Sequence, residues 1–189
     1  MDATGQDELR RALVLLSEHE LNPSTFAVRI AASTGASLPA ALACGLATLS
    51  GPRHGGVAAR TRQMLQAVQA EGVRKSHEAR AGQPPYGFGF GHPLYPEGDP
   101  RARYMLDRLP ARSGPVLAVR ALSEALGEPP NIDAALAALA LVRDLPEEAP
   151  LVIFATGRMV GWTAHAIEQV QDGAVIRPRA RYQTAPEPQ

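Results

Sequence analysis

Gly89-Phe90-Gly91-His92-Pro93-Leu94-Tyr95, followed by Asp99-Pro100-Arg101, sets a histidine on a glycine-rich turn with an arginine close behind it. Two other segments carry groups that would complete a site around that histidine. Ser17-Glu18-His19-Glu20-Leu21-Asn22 lies upstream, and Pro129-Pro130-Asn131-Ile132-Asp133 lies downstream. A glycine-flanked histidine by itself is common in loops. Three motifs in a set order, with Ile176-Arg177-Pro178-Arg179-Ala180-Arg181-Tyr182 after them, are hard to assemble by chance.

Outward from these motifs, apolar residues recur at helical spacing. Leu9, Leu13 and Leu16, widened by Val14 and Leu15, predict a helix that ends at His19. Asn22-Pro23-Ser24 is a helix start, a capping side chain followed by proline at the first helical position, and Phe26, Ile30 and Ala31 continue it. Ser37 and Pro39 open the next helix, with Leu38, Leu42, Leu46 and Leu49 as its apolar stripe and Gly51-Pro52 as its end. Ala, Cys44 and Gly between those leucines let a neighbouring helix come close, and Cys44 reads as a buried small hydrophobe. Gly55-Gly56 precedes a helix carrying Val57, Met64, Leu65 and Val68 that ends near Gly72, followed by a polar helix or loop around Lys75 to Arg80 with a solvated His77. From Gln83 to Pro100 the chain is too rich in glycine and proline for regular helix, and a loop of that length inside a compact domain is usually functional. Helices resume over 102–109, 116–126, 132–145 and 151–170. The strand-like run Leu151-Val152-Ile153-Phe154 continues into Trp162, Ala166 and Ile167 at helical spacing, so the whole chain is predicted to be all-α, with a disordered tail from Gln183 to Gln189.

Composition narrows the chemistry. A chain of 189 residues suffices for one domain and a small appendage. Lys plus Arg balance Asp plus Glu at 19 each, which gives no reason to expect nucleic acid or an acidic membrane as the partner. Anion sites must then be local, and arginine, which supplies every cation except Lys75, suits bidentate carboxylate binding. The single cysteine excludes an internal disulfide, and no cluster at ligand spacing predicts a metal site. Neither a secretory signal nor an apolar run long enough for a membrane span is visible, so the expectation is a cytoplasmic protein.

Read in order, the His19 segment, Gly-Phe-Gly-His and Pro-Asn-Ile-Asp resemble the citrate synthase family, which condenses an acyl-CoA with an oxo-acid. The resemblance runs from about Arg10 to Tyr182. It implies a citrate synthase-like helical fold in truncated form, lacking the N-terminal half of a full-length member. The implied parts are a large-domain helix remnant over 1–19, the small, CoA-binding domain over 20–135 and a large-domain C-terminal segment over 136–182.

That resemblance also implies roles. Asp133 would be the base that takes the methyl proton, His19 the donor to the thioester carbonyl, and His92 the group that polarises the ketone. Each has a physical basis, since desolvation raises a carboxylate's basicity and a preorganised imidazole stabilises charge developing on an enolate oxygen. Read alone, His19 is a helix-terminal histidine balancing the dipole and Asp133 a first-turn acid. The resemblance makes Arg101 and Arg158, the latter in Phe154-Ala155-Thr156-Gly157-Arg158-Met159-Val160-Gly161-Trp162, ligands of substrate carboxylates, and Arg177 an arginine that reaches across a dimer. The stretch from Gln83 to Gly91, with Gly89, Phe90 and Gly91 closest to the histidine, resembles the loop that wraps CoA through backbone groups. His54 reads as a turn or helix-entry residue, and His165 as a residue that lines the cleft or packs. No cofactor is expected to be tightly bound; acetyl-CoA and oxaloacetate are the implied substrates, in a homodimer or with another citrate synthase-like chain. The alternative is a non-catalytic acyl-CoA-binding or regulatory partner of such a chain.

Overall fold

The computed structural model describes residues 2–52, 54–74 and 85–181. The polar stretch 75–80 with His77, the start of the loop at Gln83 and the tail 183–189 lie outside the described residues. Eight α-helices account for nearly all the regular structure described, with one short 3-10 turn, Pro85–Phe88.

Helix α1 (Ala3–Leu16) starts where the Asp2 carboxylate accepts from the Gly5 N–H. Its Ala12 and Leu16 face is buried, while Val14 points outward. The chain then turns through Glu20, which sits at a left-handed φ of 54° and leaves His19 exposed to the space between helices. Asn22 caps α2 (Pro23–Ser33), its Oδ1 accepting from Thr25 N at 3.0 Å, and Pro23 occupies the first turn.

In α3 (Leu38–Leu49) the buried residues are Ala41, Gly45 and Leu49, and Leu38 and Leu46 are exposed. The leucine stripe is therefore split, with Leu49 buried and Leu42 packed on the core while Leu38 and Leu46 form the exposed apolar positions that its small-residue neighbours suggested. A methyl group on Gly45 would lie 2.7 Å from Val28 and 3.1 Å from the Trp162 ring, so the small-residue side is the one that closes against its neighbours. Cys44 follows Leu38 and Leu46: it is exposed, not buried as its surroundings in sequence suggested. Phe26 and Ile30 of α2 are likewise largely on the surface, and Val28 and Ala32 carry that helix's core contacts.

Helix α4 (Gly56–Glu71) ends at Gly72, whose φ of 87° stops it. Helices α5 (Pro100–Leu106), α6 (Gly114–Leu126), α7 (Ile132–Val142) and α8 (Ala149–Asp172) follow. The run at 151–154 is helical, as its continuation predicted, and α8 is stopped by Gly173 in the left-handed region. Every residue of α7 from Ile132 to Ala140 except Asp133 is buried, which makes it the centre of the main core. A helix that is apolar on all sides needs neighbours on all sides. Here α4, α5, α6 and α8 supply them. A second core joins Val28, Ala32, Ala41 and Leu49 to Trp162 and Ala166, so α2 and α3 pack chiefly on each other and on α8.

Candidate active site

Between the two cores opens a cleft of about 550 Å³, and His19, His92, Asp133, Arg101 and Arg158 all line it. His19 comes from the turn after α1, His92 from the loop before α5, Arg101 from the first turn of α5, Asp133 from the first turn of α7, and Arg158 from the middle of α8. Residues separated by up to 139 positions are thus brought to one small volume.

The glycine-rich turn is held by backbone pairing to the segment before α7. Gly91 N donates to Pro129 O at 2.7 Å, Asn131 N donates to Gly89 O at 2.8 Å, and the Asn131 side chain donates to Gly91 O at 2.9 Å. Gly89 is at φ 87°, and a methyl there would fall 2.8 Å from Thr61 and 3.0 Å from Ala134 N, so only glycine permits this approach. Phe90 is fully buried in the main core. Its side chain anchors the turn, and only backbone groups of this stretch could meet a ligand. The pairing fixes His92 relative to Asp133 before any ligand arrives.

Asp99 connects the remaining parts. Its carboxylate receives both Arg101 Nε (2.9 Å) and Nη2 (2.7 Å), the Arg101 N–H (3.0 Å), and the Ile132 N–H (3.0 Å). Burial works to raise its pKa, but the bonds and charge of Arg101 and the two backbone donors outweigh that and hold it below the usual carboxylate range. Asp99 therefore stays ionised and ties the guanidinium of Arg101 to the start of α7.

The imidazoles are neutral. Burial, with help from Arg101, Arg158 and His92, pushes His19 down to about 4, and burial and Arg101 lower His92. The His19 and His92 rings meet edge to face at 5.3 Å, and His19 Nε2 is 3.1 Å from the Tyr95 hydroxyl. His92 Nδ1 accepts from the Leu94 N–H at 3.1 Å, so the proton of its neutral ring is on Nε2, a donor. Asp133 goes the other way: desolvation raises it to about 7, although Arg101 opposes this.

Arg158 is 1% exposed. Its Nε donates to Leu16 O at 2.7 Å, yet Nη1 and Nη2 are both buried without a partner. Burial lowers it to about 10, which still leaves it charged at neutral pH. A buried cation with two idle donors is costly unless an anion completes it.

Two lining residues were assigned other work in the sequence. His54, expected to serve only the turn into α4, lines the cleft, with its ring edge-on to Phe154 and its Nε2 2.9 Å from Ser24 Oγ. The Ser24 hydroxyl has one proton and two acceptors in reach, since Asn22 Oδ1 is 2.8 Å away. When that proton goes to His54, the ring's own proton sits on Nδ1. Asn22, read only as a helix cap, does cap, and its amide Nδ2 is a buried donor without a partner at the cleft wall. The signal for both was proximity in space, which spacing along the chain does not carry.

Arg177 is exposed on the extended segment after α8 and does not line the cleft. That segment is tied to α2 by Ile176 N donating to Ser33 Oγ at 3.1 Å. His165 also lies outside the cleft, between Glu18 (3.2 Å) and Arg29 (3.1 Å). Among the described residues no three or more His, Cys, Asp or Glu side chains are grouped to hold a metal, and no helix is long and apolar enough to cross a membrane.

A helical fold with neutral imidazoles, a basic carboxylate and an unsatisfied arginine in one cleft puts hydrogen-bond donors and a buried positive charge where an anion would complete them. The chain belongs to the citrate synthase family: the family profile described as citrate synthase, C-terminal domain, matches residues 1–179. It is 32% identical to citrate synthase 2 of Bacillus subtilis (strain 168) over 194 residues, covering 97% of this chain and 52% of that protein. The crystal structure of citrate synthase from Thermotoga maritima MSB8 is similar with a TM-score of 0.78 at 32% identity, covering 95% of this chain and 53% of that one. Citrate synthase from Thermoplasma acidophilum, in a ternary complex with carboxymethyl coenzyme A and oxaloacetate, is similar with a TM-score of 0.84 at 28% identity, over 100% of this chain and 54% of that one. The chain thus spans about half the length of the curated relatives it matches.

Proposed function

We propose that this chain carries the condensing site of a citrate synthase-type acyltransferase, joining acetyl-CoA to oxaloacetate to give citrate and CoA within an oligomer. The observation that carries the reading is the pairing, in one cleft, of an Asp133 carboxyl raised to about 7 with an Arg158 whose two terminal nitrogens lack partners. The first is a base strong enough to take a proton from the methyl of a thioester, and the second is a seat for a carboxylate.

The electrostatics divide the cleft into two ends. His19 feels Arg101, Arg158 and His92 together, whereas His54 feels only Arg158. A dianionic oxo-acid belongs where cations and donors converge, so His19 goes with His92 and the arginines to that substrate. The uncharged thioester carbonyl is left to His54, in place of the His19 expected from sequence. Asp133 removes the methyl proton while His54, protonated on Nδ1 when Ser24 donates to Nε2, hydrogen-bonds the developing enolate oxygen. The enol carbon then attacks the ketone, whose oxygen gains negative charge against His92 Nε2–H. Water finally cleaves the thioester of the adduct to release CoA.

The test is thiol release from acetyl-CoA and oxaloacetate, by this chain alone and with a companion chain supplying the remaining half of its relatives. CoA thiol should appear in one of these conditions and be absent with Asp133→Asn. The half-length coverage favours a second reading, a non-catalytic acyl-CoA-binding or regulatory partner of another citrate synthase-like chain. Binding of CoA esters with no thiol release in either condition would establish that reading instead.

A further inference from the structure

A second cavity, of about 340 Å³, opens between α5 and α6 and shares no lining residue with the cleft. Its size is that of a small-molecule site. Its floor is apolar: Leu106 of α5, Val116 and Val119 of α6, and the Pro129–Pro130 pair. Val116 and Val119 are each 1% exposed, so the floor is part of the packed core and is preformed. The mouth carries charges of both signs, with Arg103 on α5, Asp107 at its C-cap, Arg120 and Glu124 on α6, and Glu97 in the loop before α5.

Those charges are idle. Each helix offers an arginine and a carboxylate four residues apart, a spacing at which opposite charges usually meet, yet neither pair closes an ion pair or hydrogen bond. The order is the less favourable one, cation before anion, in which the helix geometry aligns the two side chains poorly. Two guanidinium groups and three carboxylates, Glu97 among them, are thus left facing an apolar floor. A ligand with a single charge would meet repulsion from one half of this rim. A ligand carrying both charges on one carbon, with an apolar group behind them, would use every feature of the cavity.

We propose that this cavity is a binding site for a zwitterionic small molecule with an apolar body, of the size and chemistry of an aromatic or branched α-amino acid. The carboxylate sits at Arg103 and Arg120, the ammonium group at Asp107 and Glu124, and the side chain on Val116, Val119 and the two prolines. The site is also wired to the cleft. Its walls include Gly98 and Asp99, and Asp99 holds both Arg101 and the Ile132 N–H. Its Pro129 accepts from Gly91 N, next to His92. An occupant that shifts these walls shifts Arg101, His92 and Asp133 together, which makes it a regulatory site; this part rests on the function proposed above.

Calorimetric titration of the full chain with phenylalanine, 3-phenylpropionate and 2-phenylethylamine compares one body with both charges, the anion alone and the cation alone. Phenylalanine should bind at least tenfold more tightly than either of the others. Arg120→Glu, on the exposed rim, should weaken phenylalanine at least tenfold, and Val119→Trp should remove binding by filling the cavity. Arg158→Leu, which disables the anion seat of the cleft, should leave phenylalanine binding unchanged. No binding of phenylalanine, equal binding of the three compounds, insensitivity to Arg120→Glu, or loss in Arg158→Leu would each overturn the site. Oxaloacetate titrated with and without saturating phenylalanine should show a Kd changed severalfold, and an unchanged Kd overturns the regulatory role. Absence of any oxaloacetate binding would instead count against the proposed function, with phenylalanine binding still standing.

Discussion

Asp133 illustrates how a site residue works against the fold that holds it. Its carboxyl titrates near 7 in the folded chain, against the ordinary 3.8. Folding thus favours the protonated acid, so the contribution to stability is complete below about pH 4 and is lost as pH rises through about 7. Under the proposed function turnover requires the ionised carboxylate and should rise over the same range in which stability falls. In a competent assembly kcat/KM should climb through a limb near 7, and Asp133→Asn should abolish turnover while leaving CoA-ester binding largely intact. The same variant escapes the ionisation penalty. Urea unfolding at about pH 5 and about pH 8 should show the wild type losing roughly 2–3 kcal/mol relative to the variant at the higher pH. Parallel behaviour at the two pH values would refute the raised pKa. Arg158 makes the complementary case, since its buried charge has two unsatisfied nitrogens. Arg158→Leu should weaken oxaloacetate binding by roughly 2–5 kcal/mol, with CoA affinity barely changed. The ligand-free chain loses the Nε bond to Leu16 O and the stacking on Phe154 but is also relieved of a buried charge with two unsatisfied nitrogens. Its Tm should therefore change far less than its oxaloacetate affinity, and a collapse of Tm would show that the arginine is structural before it is a ligand.

Among the elements, α8 and the turn after α1 approach most closely. A methyl group on Gly161 would fall 2.1 Å from Ser17 O, a backbone atom that cannot swing aside. The turn it would displace carries His19. Gly161→Ala should therefore cost about 1–3 kcal/mol of stability, the usual range for forced overpacking. It should also raise the KM for oxaloacetate more than that for acetyl-CoA. Thermal unfolding and steady-state kinetics on one preparation check both, and a variant with wild-type Tm and KM would mean that this crossing has slack. On α3 the same logic runs in reverse. Because Ala41 and Gly45 face its neighbours, Leu38 and Leu46 are left on the outside while Leu49 stays buried.

At the scale of the whole molecule, two leucines are left on the outer side of α3. Leu38 and Leu46 remain about two-fifths exposed, at 41% and 38%. Exposed leucines aligned on one helix face are the kind of apolar surface that self-association covers. Light scattering should find the chain in a complex larger than one copy, and Leu38→Glu with Leu46→Glu should shift it toward monomer without unfolding it. A monodisperse wild-type monomer would remove the case for this surface.

Helical class, most element positions and five of the cleft's lining residues were legible in the chain itself. Capping side chains, proline at first turns, glycine after last turns and 3.6-residue periodicity are local signals, and local signals survive in one dimension. Even the ambiguous run at 151–154 was settled by its continuation into Trp162 and Ala166. What the sequence could not convey was which side of an element faces in, and which distant residues share a space. Leu38 and Leu46 are as apolar as the buried Leu49, yet the crossing with α2 and α8 takes in Ala41, Gly45 and Leu49 and leaves those two outside. Hydrophobicity ranks residues one at a time, whereas burial is decided by the separation of helix axes. His54 and Asn22 show the same limit at the cleft. Each has a sufficient local explanation as turn or cap, and only the packing of α2, α4 and α8 puts the imidazole against Phe154 and leaves the amide nitrogen of Asn22, like the two terminal nitrogens of Arg158, without a hydrogen-bond partner.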